Sequence, residues 1–176
     1  MSYLKEIPPD QAEGKRAELY QQIEQKIGYL PNAFKMLAVS ETVARNQLDF
    51  IDWSQSHPSL SPKFSAILRL LVSREKECNY CIDANTAILQ NYFSVTPAQL
   101  EALKQNPGDA PLDEREKALL VFVLDAVENS LGVTSADIEA LRELGWSDAE
   151  ILEALYQGAY QVTIDILFNA FNVQGN

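Results

Sequence analysis

Cys78-Asn79-Tyr80-Cys81 contains the only two cysteines of the chain, set two residues apart. Two sulfurs at this spacing can close and reopen a small disulfide ring. Used as a nucleophile and a resolving thiol, they can accept electrons from one partner and pass them to another. In a reducing compartment a persistent structural disulfide is unexpected, which favours a cycling pair. The alternative is two small buried residues that behave as ordinary apolar side chains.

Zinc is the other chemistry this motif can serve. A structural zinc site takes four ligands, commonly two such pairs or one pair plus histidines. This chain offers one pair and a single histidine, His57, followed by Pro58. Completing the set would require an Asp or Glu, and His57 reads as a solvated loop residue. No metal is expected on these grounds. No Gly-rich phosphate loop or dinucleotide fingerprint is present, so no nucleotide cofactor is expected either.

The elements that must position the thiols read as helices throughout, an all-α class. Asp113-Glu114-Arg115-Glu116 and Ser147-Asp148-Ala149-Glu150 follow the capping-box pattern, as does Thr96-Pro97-Ala98-Gln99 with proline at the first helical position. The pattern predicts helices over about 10–26, 32–39, 42–55, 61–76, 79–92, 97–104, 113–130, 135–143 and 148–172. The last of these reads as one long helix or a pair broken near Gly158. Thr96 to Leu103 resembles Thr134 to Leu141, and the Pro- and Gly-rich turn from Asn106 to Pro111 lies between them. A single domain over 1–176 is expected, with internal halves of about 1–106 and 112–176.

Both sulfurs then fall near a helix N-terminus, where free amides and aligned peptide dipoles favour a thiolate. Arg74 and Lys76 would add positive potential if they lean inward, whereas Glu75, Glu77 and Asp83 would oppose ionisation if close. The sequence alone leaves the sign of the net effect open.

Charge and composition narrow the partners. A net charge of −11 argues against nucleic acid or an anionic membrane surface, both of which need clustered Lys and Arg. Hydrophobic content of 47% suits a folded domain rather than a disordered one. The opening Met1 to Glu6 has no apolar secretory core, and no apolar run approaches the about 20 residues of a membrane span. The expected address is the cytoplasm. Residues 148–172 carry apolar groups on nearly all sides, with Tyr156, Tyr160, Phe168 and Phe171 the largest. A homo-oligomer that covers part of this segment is expected.

Taken with Leu60-Ser61, the run from Ile67 to Ser73, and Gly28-Tyr29-Leu30-Pro31-Asn32-Ala33-Phe34, the cysteine pair resembles the alkylhydroperoxidase D-like, or carboxymuconolactone decarboxylase, superfamily in its peroxidase-related branch. The resemblance runs from about Gly28 to the C-terminus. It implies an all-helical subunit that assembles into homo-oligomers and reduces hydroperoxides or exchanges disulfides, drawing electrons from a thiol or dithiol reductant protein. It also implies roles: Cys81 attacks the peroxide and Cys78 resolves the product. The superfamily further holds a decarboxylase that lacks the pair, so fold alone does not fix activity.

Three departures stand out. Where active members carry a proton-accepting histidine four residues after the second cysteine, this chain has Asn85. Where they carry a relaying glutamate twelve residues before the first cysteine, it has Ala66, and a further acidic position is Phe64. An amide cannot take a thiol proton at neutral pH, and loss of a positioned base costs about 100- to 10,000-fold in rate. Three readings follow. The first is a weakened or differently activated thiol oxidoreductase, with Asn85 or Tyr80 as hydrogen-bonding support. The second is a scaffold that kept the fold and the cysteines. The third is a non-redox enzyme using polar groups such as Asp165, Asn169 or Trp53, although polar residues on so apolar a helix are more often hydrogen-bonded core groups.

Overall fold

The computed structural model describes residues 2–175. Among them all regular structure is helical: α1 (Gly14–Ile27), α2 (Asn32–Leu37), α3 (Glu41–Gln55), α4 (Pro62–Glu75), α5 (Asn79–Phe93), α6 (Pro97–Gln105), α7 (Glu114–Glu128), α8 (Ser135–Glu143) and α9 (Asp148–Ala170). Every helix expected from the sequence is present, most within two residues of the expected ends. One boundary is corrected: helix α1 starts at Gly14 because Pro9–Gln11 form a separate 3-10 turn and Glu13 is extended. Of the two readings for α9, the single long helix is the one present, running unbroken through Gly158. Among the described residues no helix is long and apolar enough to cross a membrane.

The chain forms two compact units, Met1–Trp53 with Leu167–Asn176, and Ser54–Ile166. These limits fall away from the 106–111 turn. The first unit packs around Leu19, Ile23, Phe34, Met36 and Leu37. Within it the Tyr20 hydroxyl donates to the Ile7 carbonyl at 2.9 Å and Arg16 Nε to the Ala38 carbonyl at 3.0 Å.

In the second unit α4 is buried on nearly every side, from Phe64 to Ser73. It packs against α5 and α7. The core here gathers Phe64, Ile67, Leu68, Leu70 and Leu89 with Leu119, Leu120 and Val123, all essentially without exposure. A helix that is apolar all round is stable only inside such a shell. Caps fix where the helices begin. Thr96 and Gln99 close a full capping box on α6, as do Ser147 and Glu150 on α9. Asp113 accepts from the Glu116 amide at 2.7 Å, but the reciprocal bond is absent: the Glu116 carboxylate accepts instead from the amide of Ser61, the N-cap of α4.

His57 is corrected as well. Its side chain is 3% exposed, with Nε2 2.9 Å from Glu153 and Nδ1 accepting from the amides of Ser59 and Leu60. It ties down the turn that delivers the chain to α4.

Gly158 sets how closely α9 approaches its neighbours. A Cβ there would lie 2.6 Å from Val123 Cγ1 and 3.1 Å from Val127 Cγ2 of α7, both on stiff β-branched side chains. Overpacking of this kind costs about 1–3 kcal/mol, and the better helix propensity of alanine returns about 1 kcal/mol. Gly158→Ala is therefore expected to lower stability by about 1 kcal/mol, read as a lower denaturant midpoint. A midpoint at or above that of the native chain would show that the valines repack freely.

Candidate redox site

The connection between α4 and α5 decides where the thiols sit. Helix α4 ends with Glu77 in the left-handed region, φ 53°. The Glu77 amide bonds the Arg74 carbonyl at 3.1 Å and the Cys78 amide bonds the Ser73 carbonyl at 2.9 Å, the paired pattern of a Schellman turn. A non-glycine residue held there costs about 1–2 kcal/mol, so the surrounding packing imposes the turn. Its product is positional. Cys78 becomes the N-cap of α5, and Cys81 lies in the first turn of that helix.

Both cysteines are buried, at 1% and 4% exposure, and both are free thiols. Asp165 of α9 joins them. Cys78 Sγ, Cys81 Sγ and a carboxylate oxygen of Asp165 all lie within 4.8 Å of one another. This carboxyl is fully buried. Its Oδ1 accepts from Ser73 Oγ at 2.9 Å and from Gln161 Nε2 at 2.9 Å, and Gln161 also donates to Ser73 Oγ at 3.1 Å. Among the described residues Oδ2 has no hydrogen-bond partner, although both thiols stand beside the carboxyl.

Burial pushes the Asp165 carboxyl above its ordinary value, while its bonds from Gln161, the thiols and Ser73 pull the other way without reversing the shift. The Cys81 thiol is driven strongly upward, first by its hydrogen bond with Cys78, then by burial, then by the charge of Asp165. The site therefore resists a second negative charge. Arg69 of α4 supplies the nearby positive one. Burial lowers its guanidinium to about 10, opposed by Cys81, so it stays charged at neutral pH.

The expected supporting residues take other places. Asn85 is buried, but its Nδ2 donates to the Cys81 carbonyl at 2.8 Å and its Oδ1 accepts from Arg69 Nε at 2.9 Å. It braces the first turn of α5 and the arginine. Tyr80 is half-buried. Arg74 bonds the Lys104 carbonyl at 2.5 Å, and Glu75, Glu77 and Asp83 are exposed, so the carboxylate charge acting on Cys81 comes from α9 and not from flanking sequence. Of the polar groups proposed for a non-redox pocket, Asp165 lines the thiols. Trp53 packs on Phe50 at 5.5 Å between ring centroids, and Asn169 is exposed.

No protein-family model and no curated protein matches the sequence. Solved structures do match. The alkylhydroperoxidase AhpD core of an uncharacterized peroxidase-related protein from Ralstonia eutropha superposes with a TM-score of 0.86 at 24% identity, over 99% of this chain and 92% of that one. This chain has the AhpD-like helical fold. A second uncharacterized peroxidase-related protein, from Silicibacter, gives a TM-score of 0.82 at 23% identity, covering 99% and 95% of the two chains. A debrominase in its apo form gives 0.76 at 16% identity, covering 99% and 92%.

Within the AhpD-like fold, Ala66 and Phe64 are fully buried apolar core residues, so α4 has no carboxylate at either position. Ser73, seven residues beyond Ala66 and so two turns along the same helix, carries the bond to a carboxylate delivered by α9.

The raised Asp165 carboxyl has a consequence for stability. It binds its proton more tightly in the folded state, so its contribution is fully present below its ordinary value of 3.8 and is lost as pH rises through the raised folded value. Asp165→Asn keeps an oxygen for Ser73 and Gln161 and cannot ionise. It is expected to raise Tm at neutral pH, with the gain vanishing below pH 3.8. A Tm lowered equally at both pH values would show that the carboxylate is a net stabilising group.

Proposed function

We propose that this chain is a dithiol oxidoreductase of the thiol-peroxidase kind, in which Cys81 attacks a hydroperoxide, Cys78 resolves the product and Asp165 accepts the thiol proton. The observation that carries this reading is the Asp165 carboxylate within 4.8 Å of both sulfurs. It supplies a proton acceptor where Asn85 and Ala66 supply none. Moving a proton from Cys81 to Asp165 converts a carboxylate and a thiol into a carboxyl and a thiolate. The buried charge is unchanged, which is the condition the site tolerates.

The cycle then balances. The Cys81 thiolate attacks the distal oxygen of the hydroperoxide and the O–O bond breaks. Cys81 becomes a sulfenic acid, and the departing alkoxide takes the proton from Asp165 to leave as an alcohol. The Cys78 sulfur displaces water from the sulfenic acid, its own proton leaving with the hydroxyl, and the Cys78–Cys81 disulfide forms. An external dithiol reduces it by thiol–disulfide exchange and is itself oxidised. Exposures of 1% and 4% favour a small oxidant over direct docking of a protein disulfide onto the resting thiols.

Two outcomes test this. Mild hydroperoxide treatment is expected to convert both thiols into one intramolecular disulfide, counted by mass after alkylation, and Asp165→Asn is expected to slow that conversion by about 100-fold. Two thiols left free after excess hydroperoxide would eliminate the reading in favour of a scaffold role.

The same reading includes self-association. Leu152, Tyr156 and Ile166 of α9 are 67%, 52% and 58% exposed, whereas Phe168, expected to need a partner, is already 5% exposed and belongs to the core. Light scattering at micromolar concentration is expected to give at least a dimer, and Ile166→Glu to shift it toward the monomer. A monomeric mass for the native chain would remove this part of the proposal.

A further inference from the structure

The triad that serves thiol chemistry is also a set of metal donors. Zinc bound by cysteine and carboxylate holds sulfur at about 2.3 Å and oxygen at about 2.0–2.2 Å, which places tetrahedral donors about 3.3–3.8 Å apart. Cys78 Sγ, Cys81 Sγ and an Asp165 oxygen already lie within 4.8 Å of one another, so closure needs shifts of about an ångström. Independently of that spacing, Asp165 is fully buried and its Oδ2 has no nitrogen or oxygen donor. A buried carboxylate oxygen left in this condition is costly unless something occupies it.

The surroundings fit a cation. Ser73 and Gln161 both bond Oδ1, which fixes the carboxylate as outer-shell partners of metal ligands do and leaves Oδ2 available. Two thiolates and one carboxylate carry three negative charges. A divalent ion together with Arg69 supplies three positive ones. Two sulfurs select a soft or borderline ion over magnesium or calcium.

We propose that the reduced protein binds one thiophilic divalent cation of the zinc class through Cys78 Sγ, Cys81 Sγ and Asp165 Oδ2, with the fourth position open. Three protein ligands and an open place are the pattern of zinc sites that keep water or a further ligand. Disulfide formation removes two of the three ligands, so occupancy and oxidation exclude each other, and the bound ion shields the thiols from hydroperoxide.

The test uses the full chain, reduced and stripped of metal, titrated with zinc chloride alone against a chromophoric chelator. One equivalent is expected to bind, and none after oxidation to the disulfide. Cadmium in place of zinc is expected to give the sulfur-to-metal charge-transfer absorption of two thiolates. Asp165→Asn is expected to weaken zinc binding by about 100-fold and Ser73→Ala by about tenfold, the range over which loss of even outer-shell partners acts. The serine variant answers the question if the aspartate variant fails to fold. Three results would overturn the proposal: no uptake at one equivalent, equal uptake by the oxidised protein, or native affinity in a folded Asp165→Asn or Ser73→Ala chain. Zinc uptake is read without peroxide, so thiols inert to hydroperoxide leave it standing, and failure to bind zinc leaves the redox reading standing.

Discussion

Ser73 joins three parts of the chain through one residue, and the site exists because of it. Its carbonyl receives the amide of Cys78, which hooks the start of α5 onto the end of α4. Its hydroxyl donates to Asp165 and accepts from Gln161, which holds α9 against the same point. A side-chain bond between buried groups 92 residues apart is long-range order concentrated in one contact. Removing the hydroxyl would leave Gln161 and Asp165 to satisfy each other in a space that excludes water, where each missing partner costs about 1–3 kcal/mol.

Charge economy follows from that geometry. Two thiols and a carboxyl share a volume too apolar to hold more than one negative charge comfortably, with a single guanidinium nearby. A proton can move between sulfur and oxygen inside the cluster, whereas its departure to solvent is penalised. The helix N-terminus alone would favour thiolate at both sulfurs, and for Cys81 the structure shows that burial and its neighbours outweigh it. Field strength at a helix end is worth about 0.3–1 kcal/mol, less than the cost of burying an unpaired ion.

Much of the architecture was legible in the sequence because it rests on local rules. Caps such as Thr96 with Gln99 and Ser147 with Glu150 act within one turn, and the apolar run of α4 states its own burial. The placement of Cys78 and Cys81 at the start of α5 was legible for the same reason. What escaped was the partner of the thiols. Asp165 lies on a helix whose apolar pattern marks it as a core polar group, and nothing local links it to the cysteines. His57 escaped similarly: its contact with Glu153 spans 96 residues, while its immediate neighbours Pro58 and Ser59 suggest an open turn. Asn85 sits where spacing places it, yet its amide turns to the Cys81 carbonyl of its own helix and to Arg69 of α4, and the second of these partners is invisible in the local sequence.

The unshared oxygen of Asp165 also marks where the second unit is least at ease with its own packing. With both thiols reduced, Oδ2 is already buried with no hydrogen-bond partner, so the fold itself carries the cost of an unsatisfied carboxylate oxygen, about 1–3 kcal/mol or more for a charged group. The apolar packing of α4, α5 and α7 has to offset it, which makes this corner the place where the core gives up stability.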